Sequence, residues 1–302
     1  MLTLQDITLS RKSELDRFFE LENSRSADFN FGNIYMWDNR FRQSVAPCGD
    51  RLITLLSRKG LPYFAFPVGV GDIKPAFEQM ISYCEENSFS FRLCGICDEH
   101  LELINNAYPD MFEITEDRDY SDYLYDINKL AAYPGKHLHS KRNFCNRFEK
   151  EHEWRFVPLS KALIPDCIKM LDEWKAQSAE RLSCDYGYEE AAILRGFAHF
   201  YELGLEGGVL YAEGRIIGFT VGEKISSDTF CIHFEKAFTD IDGAYPMVCR
   251  EFCRMLREKH RELRYINRED DMGLESLRSS KRSYSPCGMV KKYTARWSDG
   301  NP

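Results

Sequence analysis

Residues 208–236 constrain the fold more than any other part of the chain. Segments 208–212, 215–223 and 229–236 are short, apolar and rich in β-branched and aromatic side chains, as strands are. Glu213-Gly214 and residues 226–228 supply the turns between them. A helical segment follows, with Tyr245, Val248, Cys249, Phe252, Met255 and Leu256 at amphipathic spacing. Three turn-linked strands feeding one long helix imply a mixed sheet covered by helices, in the α/β or α+β class. The first half repeats this order. Strand-like runs at 41–46, 52–56 and 63–67 precede a helix at 73–87, a strand at 89–94 and a helix at 101–106. A helix over 11–22 comes before them, and residues 30–37 read as a loop or a helix start.

At 302 residues the chain has room for two ordinary domains, and 21 Phe with 16 Tyr give each a substantial core. The formal net charge of −8 argues against general nucleic-acid binding while leaving room for a local basic groove. No apolar run approaches the ~20 residues that cross a bilayer, and no leader pattern opens the chain. Eleven scattered cysteines read as reduced thiols, so the expected location is cytoplasmic. Cys94-Gly-Ile-Cys97 has no second cysteine pair beside it and reads as buried thiols rather than a zinc site. Residues 98–126 hold ten acids against the single base Arg118 and read as a solvated crossing, with 120–127 as a strand entering a second sheet.

The most polar junction is Asn267–Tyr284. A short strand-like run, Leu263-Arg264-Tyr265-Ile266, leads into Asn267, Arg268, Glu269, Asp270 and Asp271, and a Lys/Arg-rich helix follows. Ligands of open sheets bind at the carboxyl ends of strands, and helix starts offer free N–H groups. Five polar residues are more than a turn needs, although an N-cap with an acidic first turn accounts for the acids alone. Upstream, residues 135–152 form a basic helix on which Lys141 and Arg142 lie between the apolar positions Leu138 and Cys145. Cations there either snorkel or aim into a cleft.

On the strand at 229–236, Phe230, Ile232 and Phe234 share one face, and Cys231, His233 and Glu235 the other. His233 and Glu235 are candidates for proton transfer. Chelation of a metal by Cys231, His233 and Glu235 is the weaker alternative, because no fourth ligand suggests itself, and no metal is expected. Cys287 to Tyr293 reads as a last strand.

From Trp154 to Tyr293 the order strand, two helices, three strands, helix, strand, helix, strand is that of the GNAT acyltransferase fold. KRNFCNRF (141–148), ELGLEGGVLYAEGRIIGFTVGE (202–223), HFEKAFTDIDGAY (233–245) and INREDDMGLESLRSSKRSY (266–284) resemble the family built on the phosphatidylglycerol lysyltransferase C-terminal domain, in particular its soluble bacterial branch. The resemblance covers roughly residues 123–293 well and the first half more loosely. It implies tandem GNAT-like domains, expected at 1–122 and 123–302. It also implies kinship with enzymes that move an aminoacyl group from charged tRNA to an amine or hydroxyl of a lipid or of peptidoglycan.

The expected function is therefore aminoacyl transfer from aminoacyl-tRNA, with no tightly bound cofactor and a small-molecule, peptide or lipid-headgroup acceptor. Acyl-CoA is the alternative donor, and a GNAT-shaped binding module without chemistry is a third reading. Where CoA users place a glycine-rich pyrophosphate turn, this chain has Asp240-Ile241-Asp242-Gly243, whose two carboxylates would repel the anion. In this scheme Glu235 or His233 orients or deprotonates the acceptor and Tyr284 protonates the leaving group. Arg268 and Lys236 neutralise a carboxylate or phosphate, and Glu269 or Asp270 holds an α-amino group. Lys141 and Arg142 meet tRNA phosphates. Glu223, Asn267 and Lys281 complete the expected substrate-binding set.

Overall fold

The computed structural model describes residues 2–178 and 186–298. The elements run, in order, β1 (Gln5–Asp6), α1 (Lys12–Glu22), α2 (Phe31–Met36), α3 (Asp38–Phe41), β2 (Ser44–Cys48), β3 (Arg51–Arg58), β4 (Leu61–Ala65), β5 (Val68–Gly69), α4 (Lys74–Glu86), β6 (Arg92–Cys97), α5 (Asp98–Ala107), β7 (Phe112–Glu116) and β8 (Asp122–Asp126). There follow α6 (Ile127–Ala132), α7 (His139–Glu151), β9 (Trp154–Pro158), α8 (Ile164–Ser178), α9 (Tyr186–Ala198), β10 (Glu206–Ala212), β11 (Arg215–Lys224), β12 (Thr229–Ala237), α10 (Ala244–Lys259), β13 (Tyr265–Asn267), α11 (Glu275–Arg282), β14 (Gly288–Val290) and β15 (Lys292–Trp297). No helix among the described residues is long and apolar enough to cross a membrane. Ten cysteines are free thiols; Cys184 lies outside the described residues.

The chain forms two compact units, residues 1–122 with 290–302, and residues 123–289. The first unit holds the sheet β1-β2-β3-β4-β6-β15-β7, with β5 paired to β3. Its core is aromatic: Phe64, Phe66, Phe77 and Phe91 are buried, and Phe77 meets Phe66 and Phe91 edge-on. Asn30 caps α2 by accepting from the Asn33 N–H, which settles residues 31–36 as a helix.

Two expectations need correction here. The acidic run 98–126 holds one element more than the expected helix and strand. Besides α5 and β8 it forms β7, which pairs with β15 at the sheet edge, its acids facing water. The run from Cys287 to Tyr293 is two strands, and they belong to different sheets. β14 closes the second sheet and β15 enters the first. The cause is visible at Lys292, which is buried against Asp122 and ion-paired to both Asp28 and Asp122, at 2.9 and 2.8 Å. Residues 290–302 therefore leave the expected second domain.

The second unit is built on the sheet β14-β8-β13-β12-β11-β10-β9. β10 to β12 form an antiparallel meander, β9 pairs antiparallel to β10 across the α8–α9 connection, and the long α10 returns the chain so that β13 lies parallel to β12. Apolar residues of α10, among them Val248, Phe252 and Leu256, are fully buried. Burial of such side chains contributes about 1.5–3 kcal/mol each, which holds the helix on the sheet.

Candidate active site in the second unit

The parting of β12 and β13 creates the site. These strands pair only from Thr229–Tyr265 to Cys231–Asn267. Past Asn267 the chain stays with β8, through hydrogen bonds between Arg268 and Tyr123 and between Tyr123 and Glu269, and leaves β12. β12 runs on through His233 and Glu235, so side chains of both branches meet in the gap.

A bulge sharpens this. Val221 pairs with Phe234 and Gly222 with Ile232, which leaves His233 as an extra residue on β12. Bulges bend a strand and re-aim its side chains, often beside active sites. A close backbone approach accompanies it: a Cβ on Gly222 would lie 1.9 Å from the Cys231 carbonyl oxygen. The His233 ring is buried, with Nδ1 2.8 Å from Glu269 Oε1 and Nε2 3.1 Å from Glu223 Oε1. Burial pulls its pKa down, but Cys231 and the two carboxylates more than offset this and hold it well above the ordinary histidine value. Cys231 Sγ lies 3.6 Å from Nδ1. Glu269 itself has φ +55°, a left-handed backbone that its N–H stabilises by donating to Asn267 Oδ1 at 2.7 Å.

Glu235 turns instead to Arg268. The Arg268 Nη2 donates to Glu235 Oε1 at 2.8 Å, with the side chains 13% and 7% exposed. Glu235 Oε2 and Arg268 Nη1 are both buried without a hydrogen-bond partner. Such groups normally find partners, because leaving one unsatisfied costs on the order of 1–3 kcal/mol. Burial raises the Glu235 pKa, opposed by Arg268, Lys281 and Lys141.

Aromatic rings line this pair. The Arg268 guanidinium carbon lies 4.5 Å from the Tyr284 ring centroid and 5.7 Å from that of Tyr125. Lys141 Nζ lies 4.0 Å over the same Tyr284 ring. Burial, and then Arg268, lower the Lys141 pKa. Burial raises that of Tyr284 well above its ordinary value. Lys281 donates to the Arg268 carbonyl oxygen, and Tyr125 to the Lys281 carbonyl oxygen at 2.8 Å.

The expected residues thus fall into distinct groups. His233, Glu223 and Glu269 form one cluster. Arg268, Glu235, Tyr284 and Lys141 form another, with Lys281 fastening the loop behind it. Asn267 is fully buried and shapes the turn. Asp270 accepts from the Met272 N–H, a local turn bond. Two cations are not brought to the gap. Arg142 donates to the carbonyls of Tyr133 and Gly135, where it ties α6 to α7. Lys236 pairs with Glu189 of α9 at 2.8 Å and lies over Trp174. Alternation from Glu235 sends it to the other face of the sheet.

Sequence reasoning gave three contributors no role in the site. Asp271 is buried and accepts from the Tyr123 hydroxyl and the Arg278 guanidinium. Tyr125 supplies a ring beside Arg268, and Cys249, an apolar position by spacing, lies in the field of Arg268. A hydrogen bond from Cys253, then Arg268 and Tyr133, lower the Cys249 pKa against burial. Its i, i+4 spacing to Cys253 on α10 was the available signal.

A two-unit α/β chain whose second unit carries parting parallel strands after antiparallel ones has a tandem GNAT-like fold, shared with a tandem GNAT protein from the clavulanic acid biosynthesis pathway (9% identity, TM-score 0.51, all of both chains). The chain belongs to the phosphatidylglycerol lysyltransferase C-terminal family, whose sequence model matches residues 19–296. It is similar to a conserved protein of unknown function from Bacteroides thetaiotaomicron, with 33% identity and a TM-score of 0.93 over 99% of this chain and 100% of that one. It also shares the fold of L-PGS from Bacillus licheniformis, at 16% identity and a TM-score of 0.65 over 96% of this chain and 92% of that one. An uncharacterized protein of Mycoplasmoides gallisepticum is 27% identical over 206 residues, 65% of this chain; the match spans 61% of that protein's length.

Proposed function

We propose that this chain is an aminoacyltransferase that moves an aminoacyl group from aminoacyl-tRNA to an amine or hydroxyl acceptor, without a tightly bound organic cofactor. Membership of a lysyltransferase family supports the reaction class. The observation that carries the reading is the buried Arg268–Glu235 pair with its two unsatisfied atoms. An aminoacyl ester offers partners for both. Its α-ammonium can donate to Glu235 Oε2, and its ester carbonyl oxygen can accept from Arg268 Nη1. That places a cation where negative charge develops as the acceptor attacks. The acceptor nitrogen or oxygen bonds to the carbonyl carbon and gives up a proton, the ester C–O bond breaks, and the ribose hydroxyl leaves with a proton. Tyr284, stacked against Arg268, is the candidate relay: it protonates the ribose oxygen and recovers a proton from the acceptor. Glu269 is occupied by His233 in this reading, so the ammonium-holding role passes to Glu235.

CoA-dependent acylation is the competing reading, and crowding at the turn before α10 disfavours it. Asp242 in that turn pairs with Arg147 of α7, which offsets its repulsion of an anion. At Gly243, φ is +89° and a Cβ would lie 2.7 Å from the Phe144 carbonyl oxygen, so α7 backbone crowds the helix start where a pyrophosphate would sit. The test is a thermal-shift comparison of acetyl-CoA, bulk aminoacyl-tRNA and uncharged tRNA at low and moderate salt. A shift specific to charged tRNA is expected. A shift with acetyl-CoA alone overturns the choice of donor, and tight binding of charged tRNA without turnover leaves a binding module.

A further inference from the structure

Cys231, His233 and Glu269 present three different donor atoms to one point. His233 Nδ1 lies 3.6 Å from Cys231 Sγ and 2.8 Å from Glu269 Oε1, and Sγ to Oε1 is 3.9 Å. Zinc bonds of about 2.0–2.1 Å to nitrogen and oxygen and about 2.3 Å to sulfur give tetrahedral edges of ~3.6 Å for N–S, ~3.4 Å for N–O and ~3.6 Å for S–O. The N–S edge already matches. The N–O edge is shorter because a hydrogen bond spans it, and opening it by about half an ångström while drawing the sulfur in completes the set.

We propose that Cys231, His233 and Glu269 form a site for a divalent transition metal of the zinc type. Four further features support it. The donors come from β12 and the loop after β13, so the fold rather than chain proximity assembles them. Both segments have irregular backbone at the site: His233 is the bulged residue of β12 and Glu269 has φ +55°. Each irregularity turns a side chain toward the same point.

The outer partner is also in place. His233 Nε2 faces Glu223 Oε1 at 3.1 Å. Metal-bound histidines commonly donate the second ring N–H to a carboxylate, which fixes the tautomer and the ring plane. Here Glu223 sits directly across from Cys231 in the β11–β12 register, so the sheet itself sets its position.

Donor chemistry gives the fourth reason. Cys231 and the His233 ring are fully buried, and a divalent ion would be held there by a thiolate, a neutral imidazole and the Glu269 carboxylate. The mixed sulfur, nitrogen and oxygen set favours zinc over magnesium or calcium, which select oxygen. Three protein ligands leave one coordination position for water or substrate.

The test is metal content and cobalt spectroscopy on the full chain, and its readout does not depend on transferase activity. The untagged protein, purified without chelators, should carry stoichiometric zinc. Exchange for Co2+ should give ligand-field bands of a four-coordinate ion and a thiolate-to-cobalt charge-transfer band. Cys231→Ser should remove the charge-transfer band, while Cys287→Ser, at the exposed cysteine, should keep it. Glu223→Gln should retain the band and weaken zinc about 10–100-fold in chelator competition. Wild-type protein that takes up neither ion after dialysis, or a cobalt spectrum unchanged in Cys231→Ser, overturns the site.

Discussion

The Tyr123 hydroxyl donates to Asp271 Oδ2 at 2.6 Å, joining the start of β8 to the loop that carries Arg268 and Glu269. Asp271 is fully buried and also takes two hydrogen bonds from Arg278 of α11. Replacing Tyr123 by Phe removes one charge-assisted bond and keeps the ring. The expected loss is about 1.5–3 kcal/mol of stability, read by urea denaturation. Because the loop positions Arg268, transfer should fall further than the lost folded fraction explains. Full activity in Tyr123→Phe would separate this anchor from the site.

The Arg268–Glu235 pair predicts an asymmetric mutant series. Arg268→Met leaves Glu235 buried without its cation and should cost about 3–5 kcal/mol. Combining it with Glu235→Leu should recover much of that stability by removing both charges, yet restore no activity. Arg268→Lys keeps the charge but not the planar fork stacked on Tyr284, so a fall in transfer rate of about a hundredfold or more is expected. A double variant that regained transfer along with stability would remove the pair from catalysis.

Gly222→Ala probes the bulge. The added methyl would meet the Cys231 carbonyl oxygen at 1.9 Å and Phe230 Cε1 at 2.7 Å. Strand separation must increase at His233, with an expected cost of about 1–3 kcal/mol. His233 should shift away from Glu223, visible as a changed imidazole resonance by NMR. An unperturbed resonance in a variant of native stability contradicts the close packing.

Lys141 predicts a pH effect on stability. Its folded pKa is lowered, by burial first and by Arg268 second. A cation with a depressed folded pKa binds fewer protons folded than unfolded, so its contribution to stability rises with pH. Below the folded value the penalty is fully present, and it is relieved as pH climbs from there toward the unfolded lysine value of 10.5. Lys141→Met should therefore raise the melting temperature at neutral pH, and the gain should shrink as pH rises toward that value. A gain that grows with pH contradicts the assignment.

Much of the second unit was legible because its strands alternate cleanly and its turns carry Gly214 and Asp228. The strand run 120–127 was placed in the second sheet, where β8 lies. β7 was hidden because Phe112 and Ile114 alternate with Glu113 and Thr115 inside an acidic run, so charge masked the period. The division of 287–293 into β14 and β15 was not readable, since strand pattern gives no partner; the buried Lys292 with Asp28 and Asp122 decides it.

The site was legible in its parts rather than its pairings. Arg268, Glu235, His233 and Glu269 stand out as polar residues on apolar elements. Their partners depend on where β12 and β13 separate and on the bulge at His233, which are properties of the sheet. Glu235 was grouped with Cys231 and His233 by alternation, whereas Glu269 takes that place through a left-handed backbone. Arg142 and Lys236 looked equally available as cations, but the first donates to the Tyr133 and Gly135 carbonyls and the second faces α9.

The most direct measurement is transfer of radiolabelled amino acid from a charged tRNA pool to an amine and hydroxyl acceptor panel, with wild type, Glu235→Gln and Arg268→Lys compared at equal folded fraction. Wild type should form labelled product from charged tRNA and none from acetyl-CoA, with both variants reduced about a hundredfold. Undiminished transfer by the two variants, or labelled product only from an acyl-CoA donor, would contradict the account.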